Sequence, residues 1–299
     1  MKIIIAQIIN GIALGSIYVL LVTGFNLMFL VGKIIHFSYP YIVVISMYVC
    51  WGFLKLTNNA FIAILGTIIS SIALHIIVEP LFRHINTRKK TVDINSSFII
   101  SLGIALILTE IMSHQLNYGF PVAFPLNWMS NSLFLEFYFL RISVAQIYTL
   151  TASIIIALIL YIFIYRTQLG RAFRAIAENM SVARLQGIPI FKLNLLLYSI
   201  AGLLGAIIAL LFSILIGSAS PWLGEYIALK VLAVAIVSGL GNIRGGIICG
   251  LLLGITESLI IHFFPGSWSN AIAFLMMLFV ILIRPRGLFN KNSLESKSV

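Results

Sequence analysis

Charge is what this sequence has least of: Asp, Glu, Lys and Arg make up 9% of its 299 residues, against an apolar share of 61%. A soluble domain cannot enclose that much apolar surface in one core, so the mean hydropathy of +1.11 makes lipid the solvent for most side chains. Catalytic signatures are missing too. No Gly-x-x-x-x-Gly-Lys-[Ser/Thr] loop, His-Glu-x-x-His pair or Gly-x-Ser-x-Gly elbow occurs, so the chain does not bind and hydrolyse ATP in the usual way. Gly217-Ser218-Ala219-Ser220 offers serines without a matching histidine, which leaves an intramembrane enzyme without a base. The only two cysteines, Cys50 and Cys249, sit inside apolar runs, which argues against a disulfide framework or a zinc site. His75, His114 and His262 stand singly, with no second ligand at metal spacing, and read as structural histidines. Neither a metal nor a cofactor is expected.

What the chain does have is apolar runs of membrane length, at 4–31, 37–54, 60–82, 97–117, 143–165, 190–216, 225–240, 245–262 and 268–284. At about 20 residues per crossing, they predict an all-α, polytopic transmembrane helix bundle of about eight to ten spans. The short pair flanking Gly241 to Gly245 counts as two crossings or as a re-entrant pair. The first run follows Met1-Lys2 but continues to about Val31 with no small-x-small cleavage pattern, and reads as a span rather than a signal peptide. Residues 1–290 form one membrane domain, and 291–299 a polar tail.

Three links are charged: Arg83 to Asp93, Arg166 to Lys192, and the tail after Arg284. The positive-inside rule puts all three in the cytoplasm. Even numbers of crossings separate them when nine are counted, with the N-terminus outside. All of the 19 Lys and Arg except Lys2, Lys55, Arg141 and Lys230 then face the cytoplasm. The net charge of +11 is thus matched to anionic headgroups, not to nucleic acid. The outer link from Asn117 to Leu140 carries Pro121, Pro125, Trp128 and Tyr138 with little charge, as an interfacial loop does.

Within the second basic link, Phe173, Ile176, Ala177, Met180 and Ala183 recur at helical spacing, while Arg171, Arg174, Glu178 and Ser181 fill the other face. This is an amphipathic helix, or a pair broken near Asn179, bounded by Gly170 and Gly187. Two readings stand side by side: a helix lying in the headgroup layer, and one that docks in a soluble partner. Gly11-x-x-x-Gly15 and Gly250-x-x-x-Gly254 read as close helix packing. Gly239, Gly241, Gly245 and Gly246 either form a tight turn or leave backbone free to line a pathway. Glu110 and Glu257, at membrane depth, are candidates for the path or for helix pairing. Glu225 and Lys230 read as interfacial.

Thr167-Gln-Leu-Gly170-Arg171-Ala-Phe-Arg174-Ala175, followed by Ala183-Arg184-Leu-Gln-Gly187-Ile188, resembles the coupling loop of permeases from branched-chain amino acid ABC importers. Asn10-Gly11-Ile-Ala-Leu-Gly15-Ser16-Ile-Tyr18 is similar to that family's first span. Ser238-Gly239-Leu-Gly241-Asn-Ile-Arg-Gly245 resembles its glycine-rich turn, and Arg284-Pro285-Arg286-Gly287-Leu288-Phe289 its C-terminal close. The resemblance implies an ATPase-coupling segment at 167–189 with Gly170, Arg171, Phe173, Arg174, Ala175, Glu178, Ala183 and Gly187 as contact residues. It also implies two ATPase subunits, a homologous permease or second copy as dimer partner, an external solute-binding protein, and a bacterial inner-membrane location with the C-terminus cytoplasmic. Glu110, Gly239, Gly241 and Glu257 are the candidates for the translocation path. The chain departs from the family at His36-Phe37-Ser38-Tyr39-Pro40, Met180, Ser238 and Arg244. Branched-chain amino acids are the default solute, with urea, short amides or another amino acid open. The alternative is an ion-gradient-driven secondary transporter using Glu110 and Glu257 as cation sites.

Overall fold

The computed structural model describes residues 2–88, 94–125, 134–137, 140–264, 266, 268–284 and 287–289. Lys89, Lys90, Asp93, Trp128, Tyr138, Pro285, Arg286 and the polar tail 291–299 lie outside them.

Each apolar run is a helix: α1 (Lys2–Gly32), α2 (Tyr39–Thr57), α3 (Ala60–Arg88), α4 (Ile94–Glu110), α5 (Val144–Arg166), α8 (Ile190–Ile216), α9 (Leu223–Ser238), α10 (Ile243–Phe263) and α11 (Trp268–Ile283). Seven are long and apolar enough to cross a membrane. The exceptions, α9 and α11, have 16 residues each, about 24 Å of helix. Between α5 and α8 lie α6 (Gln168–Glu178) and α7 (Met180–Leu185). The bundle is the polytopic helical fold that the hydropathy predicts.

Local chemistry sets the ends. Ser143 opens α5 with a capping box: its hydroxyl accepts from Ala145 N–H at 3.2 Å, and Gln146 Oε1 accepts from Ser143 N–H at 2.9 Å, satisfying orphan donors of the first turn. Asn58 closes α2 at φ 48°, a left-handed position that asparagine tolerates. Inside the spans, some hydroxyls bond back to the preceding turn, as Thr23 does to Val19 O at 2.6 Å and Thr67 to Ala63 O at 2.7 Å, which satisfies their donors in an apolar setting.

The core runs along α1, α2 and α8. Ile17, Leu20, Leu21 and Val22 of α1 are fully enclosed, as are Tyr39, Ile42, Val43 and Met47 of α2. The face of α1 bearing Gly11 and Gly15 meets Gly250 and Gly254 of α10, so the two small-residue motifs are one interface. Lipid supplies no hydrophobic drive between helices, and backbone approach replaces it. Large exposed apolar residues on α3, α5 and α11, such as Ile69, Leu158 and Leu282, make the lipid-facing surface.

The links sort by charge. At one end the sparsely charged ones meet: β1 (Val122–Ala123), after α4, pairs antiparallel with β4 (Ser218–Ala219), after α8. β2 (Phe134–Phe137) and β3 (Leu140–Ser143) form a hairpin leading into α5. The basic segments gather at the opposite end, where Lys33, Arg174 and Arg244 border one groove.

Candidate functional site

The amphipathic segment is two helices, broken at Asn179 (φ −154°, ψ 105°). Thr167 caps α6 by accepting from Gly170 N–H at 3.0 Å. Asn179 caps α7 by accepting from Ser181 and Val182 N–H at 3.0 and 3.1 Å. A short polar side chain at each start takes the orphan donors and turns the chain. Gly187, at φ 78°, ends the segment in a conformation that glycine adopts without penalty.

Its apolar face is already occupied. Phe173, Ile176 and Ala183 are 1–2% exposed and pack with Leu27 and Val31 of α1, Ile164 of α5, Leu193 and Leu197 of α8 and Ile243 of α10. Gly170 is pressed onto the end of α5, where an added methyl would come within 2.3 Å of the carbonyl oxygens of Phe163 and Ile164. Arg174 does not stand on the outer polar face. Its Nη1 donates to the carbonyl of Ile164, one of the unpaired carbonyls of the last turn of α5, and its guanidinium lies 5.6 Å from the Tyr165 ring centre. The outward surface carries Arg171, Glu178, Ser181 and Arg184, and with them exposed apolar residues: Leu169 (44%), Val182 (46%) and Leu185 (88%). Ala175 is half-buried between the two faces.

Beside α6 an open groove is lined by Lys33, Tyr165, Arg174, Glu178, Gly241 and Arg244 among others. Arg244 donates to Tyr161 Oη at 3.2 Å and lies 5.0 Å from the Tyr165 ring centre, so two aromatic faces hold the guanidinium. Burial lowers the Lys33 ammonium from its usual pKa. Three cations against one carboxylate suit an acidic group.

The glycine-rich segment 239–246 forms the turn between α9 and α10, with Gly239 and Gly241 at φ 88° and 81°. Asn26, buried in α1, holds it: Oδ1 accepts from Gly241 N–H at 3.2 Å and Nδ2 donates to Asn242 O at 3.1 Å. Asn242 caps α10, accepting from Gly245 N–H at 2.9 Å, and donates to Phe289 O at 2.6 Å. The turn, the first span and the C-terminal close thus form one unit at the groove.

Glu257 lies in the bundle, 5% exposed. Its Oε1 accepts from Lys230 Nζ at 2.6 Å and its Oε2 from Tyr18 Oη at 2.8 Å, with Lys230 Nζ 3.4 Å from Tyr18 Oη. Lys230 is therefore not interfacial: it is 8% exposed, drawn inward because an ion pair offsets the cost of two buried charges. The triad ties α1, α9 and α10 together. Glu110, at the end of α4, is exposed and pairs with His114 Nδ1 at 3.0 Å. Spacing along one helix does not reveal the Lys230–Glu257 pair, because its members stand on different helices. The signal available was that each is a lone charge in an apolar run.

The chain matches the family model described as "Branched-chain amino acid transport system / permease component" over residues 7–281. It is 25% identical to the high-affinity branched-chain amino acid transport system permease protein BraD of Pseudomonas aeruginosa, over 97% of this chain and 96% of that protein. LivH of Escherichia coli K12 is similar at 25% over 97% and 96%, and a probable LivH of Methanocaldococcus jannaschii at 25% over 93% and 90%. Among solved structures, PsaBC from Streptococcus pneumoniae in complex with Fab shares the fold, with a TM-score of 0.52 at 15% identity over 94% of this chain and 91% of that one. A family match over nearly the whole length, joined to a helical bundle with a two-helix basic segment, leads to one conclusion: the chain belongs to the family of permease components of branched-chain amino acid transport systems.

Proposed function

We propose that this chain forms the translocation path of an ATP-driven importer for branched-chain amino acids, in a bacterial inner membrane with the C-terminus cytoplasmic. The names of the relatives support the solute. Two ATPase subunits, a homologous permease or second copy, and an external solute-binding protein complete the assembly. The basic end of the bundle is the cytoplasmic end, as the positive-inside rule requires.

One observation carries the coupling role. The apolar face of α6–α7 is consumed by the bundle, with Phe173 at 1% exposure, while Leu185 remains 88% exposed on the other side. A helix lying on the bilayer turns its apolar face to lipid; here that face is unavailable. The outward strip of Leu169, Val182, Leu185, Arg171, Glu178 and Arg184 suits a groove on a soluble subunit. In this reading Gly170, Phe173 and Ala183 fasten the segment to the spans, so a push on it moves them. Gly241 borders the open groove beside α6, and the turn it forms with Gly239 carries the motion to α9 and α10. The ion-gradient alternative is weakened because Glu257 already holds Lys230 as its cation.

Cysteine cross-linking tests this. Cys50 and Cys249 are buried, so a cysteine at Ser181 or Arg184 is the reactive thiol. A cross-link to the ATPase subunit in membranes is the expected product. Labelling of both positions only by lipid-phase reagents, with no ATPase adduct, overturns the docking role.

A further inference from the structure

The link between α1 and α2 is an unusual piece of backbone. After α1 ends, residues 33–38 are not helical, yet Ile34, His36, Phe37 and Ser38 are buried. The link turns back into the bundle: Phe37 N–H donates to Ser101 Oγ of α4 at 3.1 Å, and Ser101 Oγ lies 3.0 Å from Ile35 O. Non-helical backbone at membrane depth persists only where protein covers it or where it lines a polar space.

Protein covers it, and it brings polar groups of three elements together. His36 sits 6.0 Å from His75 of α3 and 5.9 Å from Tyr198 of α8, ring centre to ring centre. Glu79, one turn beyond His75, shares a narrow cleft with Tyr198, Arg83 and Asn194 that leads to Met180 of α7. All of His36, His75, Glu79 and Tyr198 are at most 3% exposed. Yet His36 Nε2, His75 Nε2, Tyr198 Oη and both oxygens of Glu79 have no hydrogen-bond partner among the described residues. Arg83 Nε stands 3.7 Å from Glu79 Oε1, beyond hydrogen-bond range. Leaving His36 Nε2, His75 Nε2 or Tyr198 Oη bare costs about 1–3 kcal/mol each, and Glu79 has only that longer ion pair with Arg83.

The chemistry is biased toward accepting. His75 Nδ1 lies 2.8 Å from the carbonyl of Ser71, which only accepts, so the proton is on Nδ1 and the Nε2 of the neutral ring is an acceptor. Glu79 adds two acceptors and a negative charge; Tyr198 accepts or donates. No three His, Cys, Asp or Glu among the described residues stand at metal-holding distance. We propose that His36, His75, Glu79 and Tyr198 bind one small hydrogen-bond-donating cation, an ammonium group, held inside the bundle between α1, α3 and α8. The group belongs either to free ammonium or to the amine of a solute. The site is separate from ATPase docking, so its test needs no ATPase.

The full chain in lipid nanodiscs is titrated with ammonium chloride replacing potassium chloride at constant total salt, and its unfolding midpoint followed. A ligand that binds only the folded form raises that midpoint saturably. The expected result is a rise with ammonium and methylammonium and none with tetramethylammonium, which cannot donate. Glu79→Gln and Tyr198→Phe each abolish or weaken the shift at least tenfold in half-saturating concentration. Tyr198→Phe keeps the test open if Glu79→Gln does not fold. A matching rise with leucine assigns the amine to a solute; a rise with ammonium alone assigns free ammonium. No ammonium-selective shift in the unaltered chain, or an unchanged shift in a folded Tyr198→Phe, overturns the proposal.

Discussion

Gly15 of α1 and Gly254 of α10 meet backbone to backbone: a methyl built on Gly254 would stand 2.2 Å from the Cα of Gly15 and 2.6 Å from the carbonyl oxygen of Gly11. Backbone cannot move aside as a flexible side chain can, so the two helices would have to separate. Gly254→Ala is expected to destabilise the bundle by about 1–3 kcal/mol, the usual cost of overpacking, and Gly254→Leu to prevent its assembly. Gly103 on α4 has open space around it, and Gly103→Ala is expected to be neutral or to stabilise by about 0.5–1 kcal/mol through helix propensity. Unfolding midpoints of the three purified variants check the contrast; equal midpoints for Gly254→Ala and Gly103→Ala contradict it.

The Lys230–Glu257 pair behaves as a unit. Removing one partner leaves a buried charge alone, which costs about 3–5 kcal/mol, whereas replacing both with apolar residues is often close to neutral. Lys230→Met and Glu257→Leu are each expected to lower the yield of folded chain sharply, and the double variant to recover it. Uptake separates structure from function here. A recovered double variant that still transports assigns the pair to helix registry, and one that folds but does not transport assigns Glu257 to the path.

Arg174 ties α6 to the last turn of α5 through the carbonyl of Ile164, and Gly170 allows the contact by lacking a side chain. Arg174→Glu reverses the charge beside carbonyls already rich in negative potential. Gly170→Pro adds bulk where 2.3 Å separates a built methyl from two backbone oxygens. Both variants are expected to insert normally and to lose most uptake, because the segment no longer moves with the spans. Membrane fractionation alongside radiolabelled uptake reads this; normal uptake in both contradicts a mechanical role for the segment.

The sequence carried the spans because burial in lipid is a compositional demand, and all nine apolar runs became helices. It also offered a break near Asn179 as one of two readings, and the structure has the broken pair. What it did not carry were contacts between remote segments. Arg174 sits on the polar stripe by helical spacing, yet the end of α5 captures it. His75 reads as solitary until the 33–38 link folds inward and sets His36 beside it. Asn26 is one polar residue in a long apolar helix, and only the packed turn at Gly241 explains it. For His75 and Asn26 a polar residue in an apolar run marked the place, and in all three cases the partner came from a remote segment.

Leu185 offers the sharpest separation of docking from folding. It is 88% exposed at the end of α7, whereas Phe173, on the bundle-facing side of α6, is 1% exposed. Phe173→Ala removes a ring from the packed cluster, and its expected cost of about 3–5 kcal/mol falls on the stability of the bundle itself. Leu185→Asp removes nothing from that cluster and places a charge in water, so the melting midpoint of the isolated chain is expected to stay within about 0.5 kcal/mol of its original stability. A docked helix loses its apolar anchor in the same change, and a fully buried Leu is worth about 1.5–3 kcal/mol, or roughly 10- to 150-fold in affinity. Leu185→Asp should therefore lower co-purification of the ATPase subunit and uptake together, with folding untouched. Retained co-purification at unchanged yield would show that no partner covers this face of α7.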